Sequence, residues 1–402
     1  MKEIEVSHKL ARTKDNLTSK SIRSNNSYNI LKGLIEQEKL QRSELTYYSK
    51  VSVITVNKIV DKLLTAGILE ETTAESSLGR KPKELKFAKD LGCFCCINLC
   101  KVSQIGYFIY DIHSRLLEQG MVRVEKQADF NAALTECLNK VRKAAVKLSK
   151  PLLGASVSVP SVYYEQEDAV NCDLIPGLKD VHLKKQISED LGIGNVFIIH
   201  DVCAAASLEY QLADSDSLYY FYLGDGLGSA YVRRGELIQG DSYAAGEIGQ
   251  GVIAVDGESY TYESILAIAG LCRWLGASGQ EELERRLTQY PALEDWEKRK
   301  FDAVFNIAGD LLYNICWILN PGTIIIDSSI SLLAEFLQLV TQKKCEQLKS
   351  SPIRNRVQVT LPKEKNHYAM SGCVLLLVEN WIDEILVETQ GTLSKEGQHT
   401  IS

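Results

Sequence analysis

The chain has 402 residues, 45% of them apolar, enough for two or three domains with buried cores; this excludes a disordered chain and a mini-protein scaffold. No apolar run approaches the roughly 20 residues of a bilayer crossing, and the stretch Met1 to Lys14 has no apolar signal-peptide core. The expectation is a cytoplasmic protein whose eleven cysteines, an odd number set mostly in apolar stretches, are reduced thiols.

The net charge of -7 is polarised along the chain. Residues 1–90 carry 17 Lys and Arg against 12 Asp and Glu, a net +5, and the remainder carries 28 against 40, a net -12. A basic segment on an acidic body suits a phosphate-binding module, although ordinary surface variation gives similar values.

Residues 1–25 are polar and read as an arm or a short leading helix. From Ser27 to Gln37, Ile30, Leu31, Leu34 and Ile35 repeat with the period of a helix that buries one face. A short second helix is predicted from Arg42 to Ser49, with Leu45 and Tyr48 on one side. The third helix starts at the N-cap Ser52. Its apolar stripe of Val53, Val56, Ile59, Val60, Leu63 and Leu64 stops at Gly67, and Thr55, Asn57, Lys58, Asp61 and Lys62 lie opposite. Ile68–Thr72 and Glu84–Phe87 then read as a hairpin around a basic, Gly-containing loop with Arg80, Lys81 and Lys83.

Three helices and a hairpin describe a winged helix-turn-helix over residues 26–88, in which the third helix enters the major groove and the hairpin tip touches the neighbouring backbone. A small protein-binding helical bundle fits the same periodicity; the basic hairpin tip favours DNA.

From Leu91 onward strands alternate with helices. Strands are predicted at Cys93–Asn98, Ile105–Ile112, Leu153–Pro160, Asn195–Ile199, Leu218–Leu223 and Ala230–Arg233. Helices are predicted at Asn131–Ser149 and Val202–Tyr210. This is an α/β body over residues 89–402, long enough for two lobes.

Several motifs follow one another along the chain: Ser52-Val53-Ile54-Thr55-Val56, Gly79-Arg80-Lys81-Pro82, His200-Asp201-Val202-Cys203-Ala204-Ala205-Ala206 and Gly224-Asp225-Gly226-Leu227-Gly228. Ala245-Gly246-Glu247-Ile248-Gly249, Asn320-Pro321-Gly322-Thr323-Ile324-Ile325-Ile326 and Ser371-Gly372-Cys373 continue the series. With these motifs in this order the sequence resembles the ROK family, bacterial repressors and sugar kinases built on an actin-like, ribonuclease-H-like ATPase fold.

The resemblance places Asp201 at the catalytic base of the kinases, where an Asp before a helix also serves as a cap. Where those kinases have Asp-x-Gly-x-Thr on the first strand, this chain has Asn98-Leu99-Cys100-Lys101-Val102. A side chain in place of glycine closes backbone approach to a phosphate, and the loss of the Asp removes a group that helps place a metal. The family's later Gly-Gly is replaced by Asp327-Ser328-Ser329. The expectation is therefore no kinase activity and no nucleotide cofactor.

The resemblance also implies a zinc site formed by a His after Gly-Glu-x-Gly and a cysteine cluster. Here Gln250 follows Gly249 and residues 251–263 contain no cysteine, so no such site is expected. Cys93, Cys95, Cys96 and Cys100 lack a ligand spacing, since on a strand Cys93 and Cys95 face away from Cys96. The sugar-binding positions correspond to Ser161, His200, Asp201, Glu247, Gln250 and Glu263. Three keep a carboxylate, while Ser161, His200 and Gln250 replace the usual Gly, Asn and His.

The expectation is a ROK-type repressor of carbohydrate-related genes that binds double-stranded operator DNA as a homodimer or tetramer and responds to a sugar or sugar phosphate. Thr55, Asn57 and Lys58 are the candidate base readers; Arg42, Ser52, Arg80, Lys81 and Lys83 are the candidate backbone contacts. Two alternatives are an active sugar kinase with a DNA-binding appendage and a ligand-independent DNA-binding scaffold.

Overall fold

The computed structural model describes residues 19–73, 83–170, 172–179, 181–346, 357–363 and 370–396. The hairpin tip with Arg80 and Lys81 lies outside the described residues. Among these residues the chain divides into two units, one drawn from residues 19–199 and 373–396, the other from 200–372.

The first unit opens with helices α1 (Ser19–Gln37), α2 (Arg42–Ser49) and α3 (Val53–Thr65), followed by the antiparallel strands β1 (Leu69–Thr73) and β2 (Lys83–Phe87). Helix α1 begins at Ser19, inside the segment read as an arm or a short leading helix. Ile30, Leu31, Leu34, Leu45, Val56, Val60, Leu63, Leu85 and Phe87 form the core of this head. Each large aliphatic side chain among them contributes about 1.5–3 kcal/mol through burial. Leu40 adds a feature the periodicity did not show: its N–H and C=O exchange hydrogen bonds with Leu85, so the linker between α1 and α2 pairs with β2. The start of α2 needs no Ser, because the carboxylate of Glu44 accepts the Gln41 N–H at 2.6 Å.

One part of the predicted stripe on α3 differs. Val56, Val60 and Leu63 are buried, but Val53 is 56% exposed. It stands in the first turn, beyond the reach of the core.

The rest of this unit comprises β3 (Cys93–Lys101), β4 (Gln104–Tyr110), β5 (Leu116–Arg123), α4 (Phe130–Leu148), β6 (Leu152–Val159), the small hairpin β7 (Tyr163–Tyr164) and β8 (Ala169–Val170), α5 (Leu183–Leu191) and β9 (Val196–His200). Their main sheet has the order β5-β4-β3-β6-β9. Sequence periodicity missed β5, whose burial is mixed and whose core contact at its end is Val122. Leu134, Leu138 and Val141 of α4 pack with Cys95, Ile97 and Leu99 on one face of the sheet.

The head belongs to this unit through specific contacts. The His113 Nδ1 lies 3.0 Å from the Ile35 carbonyl oxygen, and the His113 ring meets Phe87 edge-on at 5.8 Å. Arg115 pairs with Glu38. His113 and Arg115 are aimed by Asp111, whose Oδ1 accepts both of their backbone N–H groups at 2.9 Å.

The second unit contains α6 (Asp201–Leu212), β10 (Ser217–Leu223), β11 (Leu227–Arg233), β12 (Glu236–Ile238), the hairpin β13 (Val252–Val255) and β14 (Glu258–Thr261), α7 (Tyr262–Leu266), α8 (Ile268–Leu275), α9 (Gln280–Thr288), α10 (Asp295–Ile318), β15 (Thr323–Ser328), α11 (Ser331–Glu346) and β16 (Gln358–Thr360). Its sheet runs β12-β11-β10-β15-β16, with β10 parallel to β15 and antiparallel to β11. Phe221, Ile324 and Ile326 pack one face against Phe305, Ala308, Leu312, Leu333 and Leu337 of α10 and α11. β11 starts at Leu227, three residues before the predicted Ala230.

The last helix, α12 (Met370–Glu396), begins in the second unit and continues in the first. Gly372 lies against the carbonyl of Ala204, where a Cβ would collide with α6. In the first unit Trp381 meets Phe94 edge-on at 5.6 Å. Among the described residues no helix is long and apolar enough to cross a membrane.

Candidate functional site

The first candidate surface is α3. Because Val56, Val60 and Leu63 point inward, the opposite face carries Ile54, Lys58, Asp61, Lys62 and Thr65, all exposed. Lys50, Lys58 and Lys62 are exposed and carry no ion pair among the described residues. Ser52 caps the helix by accepting the Thr55 N–H at 3.3 Å, and its hydroxyl also lies 3.0 Å from the Thr55 hydroxyl.

Arg42 has an internal role. Its guanidinium donates to Asn57 Oδ1 at 3.2 Å and to Glu71 Oε1 at 3.0 Å, and pairs with Asp61 at 2.8 Å. Lys83 donates to the other oxygen of Glu71 at 2.5 Å. Arg42, Asn57 and Lys83, all expected to face DNA, therefore form one network that ties α2 to α3 and to both strands of the hairpin. The Lys83 hydrogen bond, with Arg42 beside it, holds the Glu71 carboxyl below the usual carboxylate range. Sequence reasoning missed Glu71 and Asp61 as partners, because the network joins residues far apart in the chain.

The second candidate site lies in the second unit. β9 ends at His200, and Asp201 opens α6, where its Oδ1 accepts the Val202 N–H at 2.7 Å. The His200 ring stands between two carboxylates, with Nε2 3.4 Å from Asp201 and Nδ1 3.5 Å from Glu247. Glu247 is carried on the turn after Gly246, whose φ of 101° fits glycine and whose carbonyl accepts both the Ser229 N–H and hydroxyl. Glu263, on the first turn of α7, accepts the Leu227 N–H at 3.1 Å, and its side chain passes close to Gly249.

Burial pushes the Glu247 carboxyl up; the adjoining Glu263 and Asp201 act in the same direction and His200 opposes them. The second unit thus brings together His200, Asp201 and Glu247, with Glu263 beside Gly249. Gln250, exposed, ends the short turn after Glu247. Ser161 lies in the other unit, just after β6. Carboxylates and an imidazole in this arrangement can accept or donate hydrogen bonds to a polyhydroxy ligand.

The positions to which the resemblance assigns phosphate binding carry hydrogen bonds within the protein. In the first unit Asn98 is buried, and its Oδ1 accepts the Cys100 N–H at 2.9 Å. The Cys100 thiol lies 3.3 Å from the Ser158 hydroxyl. In the second unit Asp327 is buried, accepting the Tyr220 hydroxyl at 2.5 Å and the Ser328 N–H at 2.8 Å. Ser328 in turn accepts the Ile330 N–H at 3.1 Å. The glycines of the turn Gly224–Gly226 serve a tight hairpin, in which the Gly224 N–H bonds to the Gly226 carbonyl at 2.9 Å.

A zinc ion does not fit either. The stretch where the resemblance places the zinc cluster is the hairpin β13–β14, fixed by Tyr260 packed edge-on against Trp274 at 5.5 Å. Cys93 and Cys95 lie in the core beneath α4, whereas Cys96 faces Cys373 of α12. Among the described residues no group of His, Cys, Asp and Glu could hold a metal.

Comparison with known proteins gives a consistent picture. Residues 104–380 match the model of the ROK family. An uncharacterised protein of Clostridium perfringens is 23% identical over 304 residues, covering 72% of this chain and 99% of its own length. The crystal structure of a ROK family transcriptional regulator, a homologue of the E. coli MLC protein, superposes with a TM-score of 0.75 at 17% identity, covering 92% of this chain and 98% of its own. A ROK hexokinase from Thermus thermophilus superposes with a TM-score of 0.59 at 17% identity, covering 74% of this chain and 99% of its own.

Proposed function

Because the chain belongs to the ROK family, which its residues 104–380 match, we propose that it is a DNA-binding transcriptional regulator without kinase activity, a repressor of carbohydrate-related genes governed by a sugar or sugar derivative. In this reading the three helices and hairpin act as a winged helix-turn-helix on the two-lobed ATPase fold of the family. α3 lies in the major groove, and a dimer engages paired half-sites.

The observation that carries the proposal is the outward face of α3 and the turn before it, where Lys50, Lys58 and Lys62 are exposed, carry no ion pair among the described residues and are so available to phosphates. The closed Asn98–Cys100 turn supports the loss of phosphoryl transfer, which needs backbone donors aimed at the transferring group. The regulator's superposition also takes in more of this chain than the hexokinase's. His200, Asp201, Glu247 and Glu263 are the residues that would meet the hydroxyls of the effector, with Gln250 as a further contact.

Genome-wide recovery of DNA bound by the full chain, followed by a thermal-shift screen with sugars and sugar phosphates, tests this reading. It expects discrete promoter sites beside carbohydrate genes and at least one sugar that raises the melting midpoint. Randomly scattered DNA, or phosphorylation of a hexose by the same preparation with ATP, would overturn it.

A further inference from the structure

We propose that Ile54 reads the C5-methyl group of a thymine in the major groove, so that the operator is recognised at the start of α3 by apolar contact with a base edge. The inference rests on the DNA-binding reading and adds to it the base that this position selects.

Ile54 is 71% exposed, in the first turn of α3, on the same outward face as Lys58. A single exposed aliphatic residue is ordinary on a protein surface, so exposure alone decides nothing. Its surroundings are more specific. Two of the three polar candidates for base reading are already engaged within the head: Asn57 gives its carbonyl oxygen to Arg42, and the Thr55 hydroxyl lies against that of Ser52. On the outward face Ile54 and Lys58 stand nearest the helix start, followed by Asp61, Lys62 and Thr65, with Val53, 56% exposed, beside Ile54 in the first turn.

Charge complementarity selects the occupant. Lys50 stands four residues before Ile54, and Lys58 and Lys62 follow it at i+4 and i+8, all exposed and, among the described residues, without ion pairs, whereas the centre of a protein interface is depleted of lysine. The one acidic group on this face, Asp61, is neutralised by Arg42 at 2.8 Å. A protein partner would have to desolvate three ammonium groups to reach Ile54. Duplex DNA supplies phosphates for the lysines, and in its major groove the thymine methyl is the one apolar group on a base edge.

The test begins with duplexes that the full chain selects from a randomised pool. Each thymine is then replaced singly by uracil, which removes the methyl group and leaves the hydrogen-bonding edge unchanged. One position per half-site is expected to lose about four-fold in affinity for the native chain, the scale of one buried methyl. Ile54→Ala should bind more weakly and no longer distinguish thymine from uracil there, and Ile54→Val should keep part of the distinction. An unchanged melting midpoint verifies that these surface variants fold. Lys58→Ala should weaken both duplexes equally and reduce the dependence on salt.

If the native chain selects duplexes but no thymine is methyl-dependent, or if Ile54→Ala keeps the distinction, this inference fails while DNA binding stands. If no duplex is retained at low salt, both fail.

Discussion

Asn98 and Cys100 close on each other: the Asn98 Oδ1 accepts the Cys100 backbone N–H at 2.9 Å within the bulged end of β3. A kinase of this fold would aim such an N–H at a phosphate. Here the donor is used inside the protein, and the thiol of Cys100 occupies the space a glycine would leave open. The amide of Asn98 also provides no anion to place a metal ion.

The chain should accordingly bind magnesium-ATP more weakly than about 1 mM by calorimetry, with or without a hexose. Saturable binding at micromolar nucleotide would contradict the closed turn.

Removal of the Arg42 guanidinium frees Asn57, Asp61 and Glu71 together. Arg42→Ala should destabilise the head by about 1–2 kcal/mol, as expected for partly buried charged hydrogen bonds, and hydrogen exchange should accelerate in α2, α3 and β1. The same network gives a pH dependence. Glu71 has its folded value lowered, so its contribution is present above the ordinary carboxylate range and lost as pH falls through the lowered value. Glu71→Gln should flatten the acid limb of the head's stability.

Glu247 behaves oppositely. Burial raises its folded value, so the stability that its neutral form retains is present at low pH and lost as pH rises through that value. A ligand hydroxyl donating to Glu247 favours the ionised form. Effector affinity should therefore increase with pH across this range, with proton release detectable by calorimetry in buffers of different ionisation enthalpy. Glu247→Gln should abolish the release.

The hairpin β13–β14 should need no metal. EDTA is expected to leave the melting midpoint unchanged, whereas Trp274→Ala, which removes the edge-on contact with Tyr260, should cost about 2 kcal/mol or more. A chelator-induced fall in the midpoint would point to ligands other than those described.

Much of this organisation was legible in the sequence for local reasons. The stripe Val56, Val60, Leu63 and the turn signal at Gly67 are short-range patterns, and α3 follows from them. The replacements at Asn98, Cys100 and Asp327 were visible because backbone access to a phosphate depends on residue type at one position. The long-range pairings were not visible. Leu40 on β2, His113 against Ile35, and Arg42 with Glu71 join segments whose separation leaves no periodic trace. Arg42 was therefore read as a phosphate contact, because a cation in a basic segment looks the same whether it faces DNA or a carboxylate of its own domain. Ile54 lay outside the predicted stripe, but an exposed aliphatic residue carries no sequence signal of a binding role.

The affinity of the full chain for its recovered genomic sites, measured against scrambled duplexes across a salt series, tests the central claim most directly. The account predicts binding at least about a thousand-fold tighter to the recovered sites, with affinity falling steeply as salt rises. Equal, weak binding to both duplexes at every salt concentration would contradict it.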